Sequence, residues 1–341
     1  MNTPEIFSRI SQMFQKEARG KSWKPEVLIP TEGPVITLRM TPDCQKLILV
    51  TGYKKGEIDR ERRNSKIEIL SLSEKNPDGS LKVLLEKKIR ERITSAHITP
   101  LGNFIAIGDA EANTWIFKVD EKGISTVKFI EQPNGSGAGP TKIVKLSPDG
   151  NLLLTEHSFC IEMLNLAEKG QIFHPGIVGP ADFSIPGEIF AFEEKGQLNF
   201  SSMRSLDFEA DRLRNLRTIE LKTKVTDLHL NPDPDDDTLA VIVNGEHLET
   251  ISASTKRVLK RDIYGLDHDG TQKHHLIADA NFNPRDTHEV IMGGGEIAVY
   301  DLRKRRETIE INSIINSLVV KAGPDGKILF GTHSTAGIIR R

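Results

Sequence analysis

The chain has 341 residues, of which 46 are basic and 48 acidic, for a formal net charge of −2. That balance supplies no long-range field for nucleic acid or an anionic membrane, so neither is an expected partner. Cys44 and Cys160 share no metal or redox spacing, and residues 1–20 hold no unbroken apolar run, so we expect a cytoplasmic or nuclear protein that is not secreted.

The first predicted element is a helix. Thr3 is a cap, Pro4 suits a first turn, and Ile6, Ile10, Met13 and Phe14 fall at helical spacing, with Phe7 widening the stripe. Residues 1–24 therefore read as an amphipathic helix and linker, distinct from 25–341. Its apolar stripe must be covered, by the rest of the chain or by a partner, which makes it a candidate second contact.

From residue 25 onward one unit recurs: a strand, a Pro-containing turn and a second strand. Residues 142–157 are the cleanest copy, with Ser147-Pro148-Asp149-Gly150 at the turn. Six further copies surround Pro42, Pro100, Pro186, Pro232, Pro284 and Pro324, so the repeat returns at intervals of about forty to sixty residues. Proline presets the first corner of a tight reversal and is excluded from the middle of a sheet, which places it at these ends. A short apolar run follows each second strand, as in Thr114-Trp115-Ile116-Phe117, and a more polar one usually comes next, as in Arg217-Thr218-Ile219-Glu220. Four strands per unit predict an all-β chain, a seven-bladed β-propeller carrying the short N-terminal helix. The copy around Pro324 has residues for a third strand but no fourth, and residues 26–29 are expected to fill that place.

Gly294-Gly295-Glu296-Ile297-Ala298-Val299-Tyr300-Asp301-Leu302-Arg303 resembles the third strand of a WD repeat, with Tyr300 where that family has Trp, and residues 108–120 resemble the same segment. The resemblance to the WD-repeat superfamily covers roughly residues 26–341. It implies a non-catalytic protein-interaction scaffold. It also implies that links between blades, and links from second to third strands, emerge on one face. The most irregular insertions belong to those links. The first, 53–65, carries Tyr53, Lys54, Lys55, Asp59, Arg60, Arg62 and Arg63. The second, 131–140, contains Asn134, and the third, 264–275, contains Asp267, His268 and Asp269. Loops tolerate elaboration and scaffolds place recognition there, so these residues are the expected partner-binding surface.

Catalytic patterns are scarce. The glycines of 131–140 precede no helix and no Lys-Ser/Thr pair, so they are not a phosphate cradle. Asp267-His268-Asp269 lacks the further acids of a calcium loop, and adjacent His274 and His275 do not converge readily on one zinc. We expect no enzyme activity, no cofactor and no metal. A column of polar residues remains, three positions before each turn or its equivalent: Arg39, His97, Lys145 and Asp182, then His229, Asn281 and Lys321. Period-two alternation places them on one side of the first strands, toward a central channel. Their alternative use is a hydrolase site or a small-ligand or peptide site in that channel.

Overall fold

The computed structural model describes residues 24–53, 64–131, 139–147, 149–158, 160–167, 171–175, 180–183, 189–202, 215–221, 225, 227–231, 238–243, 247–252, 258–263, 277–294, 297–303, 306–311 and 319–340. All regular structure among them is strand, and no helix occurs there. The expected N-terminal helix, with Ile6, Phe7, Ile10, Met13 and Phe14, lies outside the described residues.

The turns of the repeat are held by side chains as well as by backbone. Thr41 N–H donates to the Lys46 carbonyl at 2.9 Å and Cys44 N–H donates to the Thr41 carbonyl at 2.8 Å. The Thr41 hydroxyl accepts from Lys46 N–H at 3.1 Å and donates to Asp43, whose Oδ1 accepts from Gln45 N–H at 3.0 Å. Thr99 repeats the device, accepting from Phe104 N–H and donating to Asn103. Ser147 does so with Leu152 N–H and Asp149. Such local bonds favour a turn over continued strand. Three of these reversals close on a residue in the left-handed region, with φ of 73° at Gly102, 76° at Gly150 and 81° at Gly326. Cys44 takes the same place at 58° with a side chain attached.

Among the described residues these reversals lead into seven four-stranded antiparallel sheets. Six are built from four consecutive strands. The first strands of sheets one to six are, in order, Val35–Met40, Ile93–Ile98, Ile143–Leu146, Ala181–Phe183, Asp227–Leu230 and Ile277–Asn283. The remaining sheet, sheet seven, is composite: Val319–Ala322, Ile328–Gly331 and Thr335–Arg340 from one end of the chain, and Lys24–Pro30 from the other. The expectation of seven like blades is corrected accordingly: six are complete within their own stretch. The copy around Pro324 stops at three strands, and Lys24–Pro30 pairs antiparallel with Thr335–Arg340. That pairing satisfies a strand edge that would otherwise be open.

The chain divides into two compact units, Met1–Arg90 with Tyr264–Arg341, and Glu91–Ile263. Each is a propeller-like series of sheets. In the first, the pleat sends alternate residues of sheet seven to opposite neighbours. Val320, Ile328, Phe330 and Ile339 pack against Ile291, Ile297 and Val299 of sheet six. Val319, Leu329 and Ile338 pack against Val35, Leu38, Leu47 and Leu49 of sheet one. The second unit does the same at sheet three. Val144, Leu146 and Leu153 meet Ala106 and Ile116 of sheet two, while Leu154, Ile161 and Met163 meet Phe183, Phe190 and Phe192 of sheet four. A strand apolar on both faces, such as Ile328-Leu329-Phe330, is thereby buried on both.

Close sheet packing requires small residues at a few points. A Cβ on Gly331 would run into the Val35 side chain, so we expect Gly331→Ala to lower stability by about 1–3 kcal/mol through overpacking, measured by chemical denaturation. Cys44→Gly should act oppositely. Removing the side chain from a left-handed position relieves strain of about 1 kcal/mol, read as a higher denaturation midpoint with an unchanged slope.

Candidate functional site

The polar column is spread over the first strands, and most of its members are engaged between strands. In the unit Glu91–Ile263, His97 Nδ1 accepts the Leu146 N–H at 3.1 Å, which fixes that ring nitrogen as unprotonated. Lys145 Nζ lies 3.0 Å from Asp182 Oδ1 and 3.4 Å from the Leu228 carbonyl oxygen. Asp182 Oδ2 accepts the Leu230 N–H at 2.9 Å. His229 Nε2 sits 2.7 Å from Asp227 Oδ2 on its own strand. The first strands of sheets two to five are thus stitched in sequence, side chain to backbone from two to three and from four to five, and by the Lys145–Asp182 ion pair from three to four.

The other unit uses the same device between sheets six and seven. Asn281 Nδ2 donates to the Val320 carbonyl at 3.1 Å, and Asp279 Oδ2 accepts the Val320 N–H at 2.9 Å. Lys321 Nζ returns to Asn281 Oδ1 at 3.0 Å and to Asp279 Oδ2 at 3.5 Å. Asp227 and Asp279 stand two residues before His229 and Asn281, on the same face of their strands by the period of two, so their partnership was readable from spacing. Arg39 lies on the first strand of sheet one, partly buried, and burial pushes its guanidinium down to about 10.

Sequence reasoning passed over a second group, at the end of Leu152–Glu156. Glu156 and the neighbouring His157 are buried, and among the described residues Glu156 Oε2 and His157 Nδ1 have no hydrogen-bond partner. Burial pushes the Glu156 carboxyl up to about 7; Lys142 and Lys145 oppose the rise, while Asp227 and Glu193 add to it. Burial likewise lowers His157. The signal was a Glu-His pair closing the apolar run Leu152-Leu153-Leu154. A solvated strand end explained it equally well until packing was known.

Of the expected partner-binding residues, Tyr53 is described and half-buried. Lys54, Lys55, Asp59, Arg60, Arg62, Arg63, Asn134, Asp267, His268 and Asp269 lie outside the described residues. The WD-like segments show ordered aspartate turns. Asp109 Oδ1 accepts from Glu111 and Asn113 N–H at 2.8 Å each, and its Oδ2 lies 3.5 Å from Trp115 Nε1. Asp301 Oδ1 accepts from Arg303 N–H at 2.9 Å beside buried Tyr300. Among the described residues no helix is long and apolar enough to cross a membrane. Comparison with protein-family models and with curated proteins finds no match for the chain.

The Glu156 carboxyl makes stability depend on pH. Its folded pKa stands above the unfolded value of about 4.5, so the native state holds the proton more tightly. The associated stability is present below the unfolded value and is lost as pH rises through about 7. The full loss is on the order of 3 kcal/mol at about 1.4 kcal/mol per pKa unit. We expect Glu156→Gln to unfold with nearly level stability from pH 5 to pH 8, where the wild type declines, as measured by urea denaturation across that range.

Proposed function

We propose that this chain is a non-catalytic interaction scaffold of the WD-repeat kind, which binds one or more proteins through its loops 53–65, 131–140 and 264–275. One observation carries the reading: three of the four longest links between strands leave from the same end of their sheets, the exception being 203–214 between the third and fourth strands of sheet four. In an antiparallel sheet the start of the first strand, the end of the second, the start of the third and the end of the fourth share one end. Sheet one has a long excursion there, between Lys46–Thr51 and Ser65–Lys75, whereas sheets two and four pass from second to third strand in a few residues. The stretches after Gly123–Ile130 and after Val258–Ile263 leave from that same end of their sheets. At the opposite end of sheets one, two and three, tight hydroxyl-capped turns join first to second strands. Loops lengthened mainly at one end of the sheets suit recognition by loops.

The aspartate turns at Asp109 and Asp301 support the WD-repeat reading. The bonding of Lys145, Asp182, Asn281 and Lys321 to neighbouring strands favours a structural use of the column over a hydrolytic one. A cytoplasmic or nuclear setting belongs to the same proposal. Affinity capture with the full chain tests it: deletion of residues 56–64 should remove at least one protein retained by the wild type. Retention of every protein by the deleted form, or ester or lactone hydrolysis by the purified chain, would overturn it.

A further inference from the structure

Arg39 differs from its counterparts in the unit formed by sheets one, six and seven. Asn281 and Lys321 hold each other, and Asp279 neutralises the Lys321 ammonium. Among the described residues no hydrogen bond or ion pair engages Arg39. The residue sits on Val35–Met40, opposite Ile48 in the register, beside the first strand of sheet seven. Leu38 and Met40 flank it in sequence and are fully buried. With Lys321 and Asp279 cancelling, Arg39 is the uncompensated charge of these three side chains.

A guanidinium presents five donors in a rigid planar fork and stays charged at neutral pH even when its pKa falls to about 10. The residue is partly buried, so its guanidinium is desolvated in part, and an anion in the fork would recover the free energy lost with those waters. Planar two-point recognition suits a carboxylate or a phosphate and does not suit chloride.

We propose that Arg39 anchors a binding site for a small oxyanion, a carboxylate or phosphate group, on the first strand of sheet one. The site is independent of the loop surface assigned above. The group could arrive as a free ion or at the end of a larger ligand; the shared chemistry is the oxyanion.

Thermal unfolding and titration calorimetry of the full chain test this, with inorganic phosphate and acetate as probes and chloride at matched ionic strength as reference. Wild type should show a saturable rise in Tm with phosphate, acetate or both, since a ligand bound only to the native state stabilises it. Arg39→Met should exceed the wild-type Tm in chloride and respond to neither probe. Arg39→Lys, which keeps the charge but loses the fork, should bind at least tenfold more weakly, and it decides the matter if Arg39→Met does not fold. The proposal is overturned by a wild type indifferent to both anions. It is equally overturned by an Arg39→Met response equal to the wild type's, which would reveal general exclusion of the salt from the protein surface, or by full affinity in Arg39→Lys.

Discussion

A four-stranded sheet that is apolar on both faces cannot stand alone in water, and that constraint governs the rest of the structure. Ile328, Leu329 and Phe330 are successive residues, so the pleat sends Leu329 one way and its neighbours the other. Both directions must meet protein. Sheet seven meets sheet six on one side and sheet one on the other, and sheet three is clasped in the same way by sheets two and four. Burial near 25 cal/mol per Å² of apolar surface then links each sheet's stability to its neighbours' presence. The composite sheet follows from the same need, because an unpaired Thr335–Arg340 would leave an open edge beside a buried face.

Apolar faces alone do not fix how one sheet is set against the next, since dispersion and hydrophobic contacts have little direction. The first strands supply direction through polar side chains that bond to the neighbouring strand's backbone. Asp182 takes the Leu230 N–H, His97 takes that of Leu146, and Asp279 takes that of Val320. Each also satisfies a backbone donor on a first strand, which has no ladder partner on that side. A net worth of about 0.5–1.5 kcal/mol per bond is modest, but leaving such a donor buried and unmet would cost more. Polar residues in this column therefore have a structural reason to be there. Arg39, which makes no such bond among the described residues, is what separates a binding reading from a structural one.

Glu156 illustrates the opposite outcome. A carboxyl buried with one oxygen unpartnered, near Asp227 and Glu193, is most stable as the neutral acid, so its environment works against the charge that the residue carries in water. The Glu-His pair after Leu152-Leu153-Leu154 is a weak local signal of this, because Asp227 and Glu193, which raise the carboxyl further, come from distant positions brought together by packing.

What the chain by itself determined was the repeating part. The Thr41-Pro42-Asp43 and Ser147-Pro148-Asp149-Gly150 turns are written in local chemistry, and the alternation that follows sets strands and faces without reference to anything distant. The closing strand near residues 26–29 was legible for the same reason, because a three-stranded last copy leaves a countable vacancy. Tertiary structure alone decided which polar residues are consumed by packing: Lys145 finds Asp182, Lys321 finds Asp279, and Arg39 finds neither. Pattern gives a side chain's face, whereas its partner depends on how neighbouring sheets are set against one another, a property of the packed unit that no single stretch encodes.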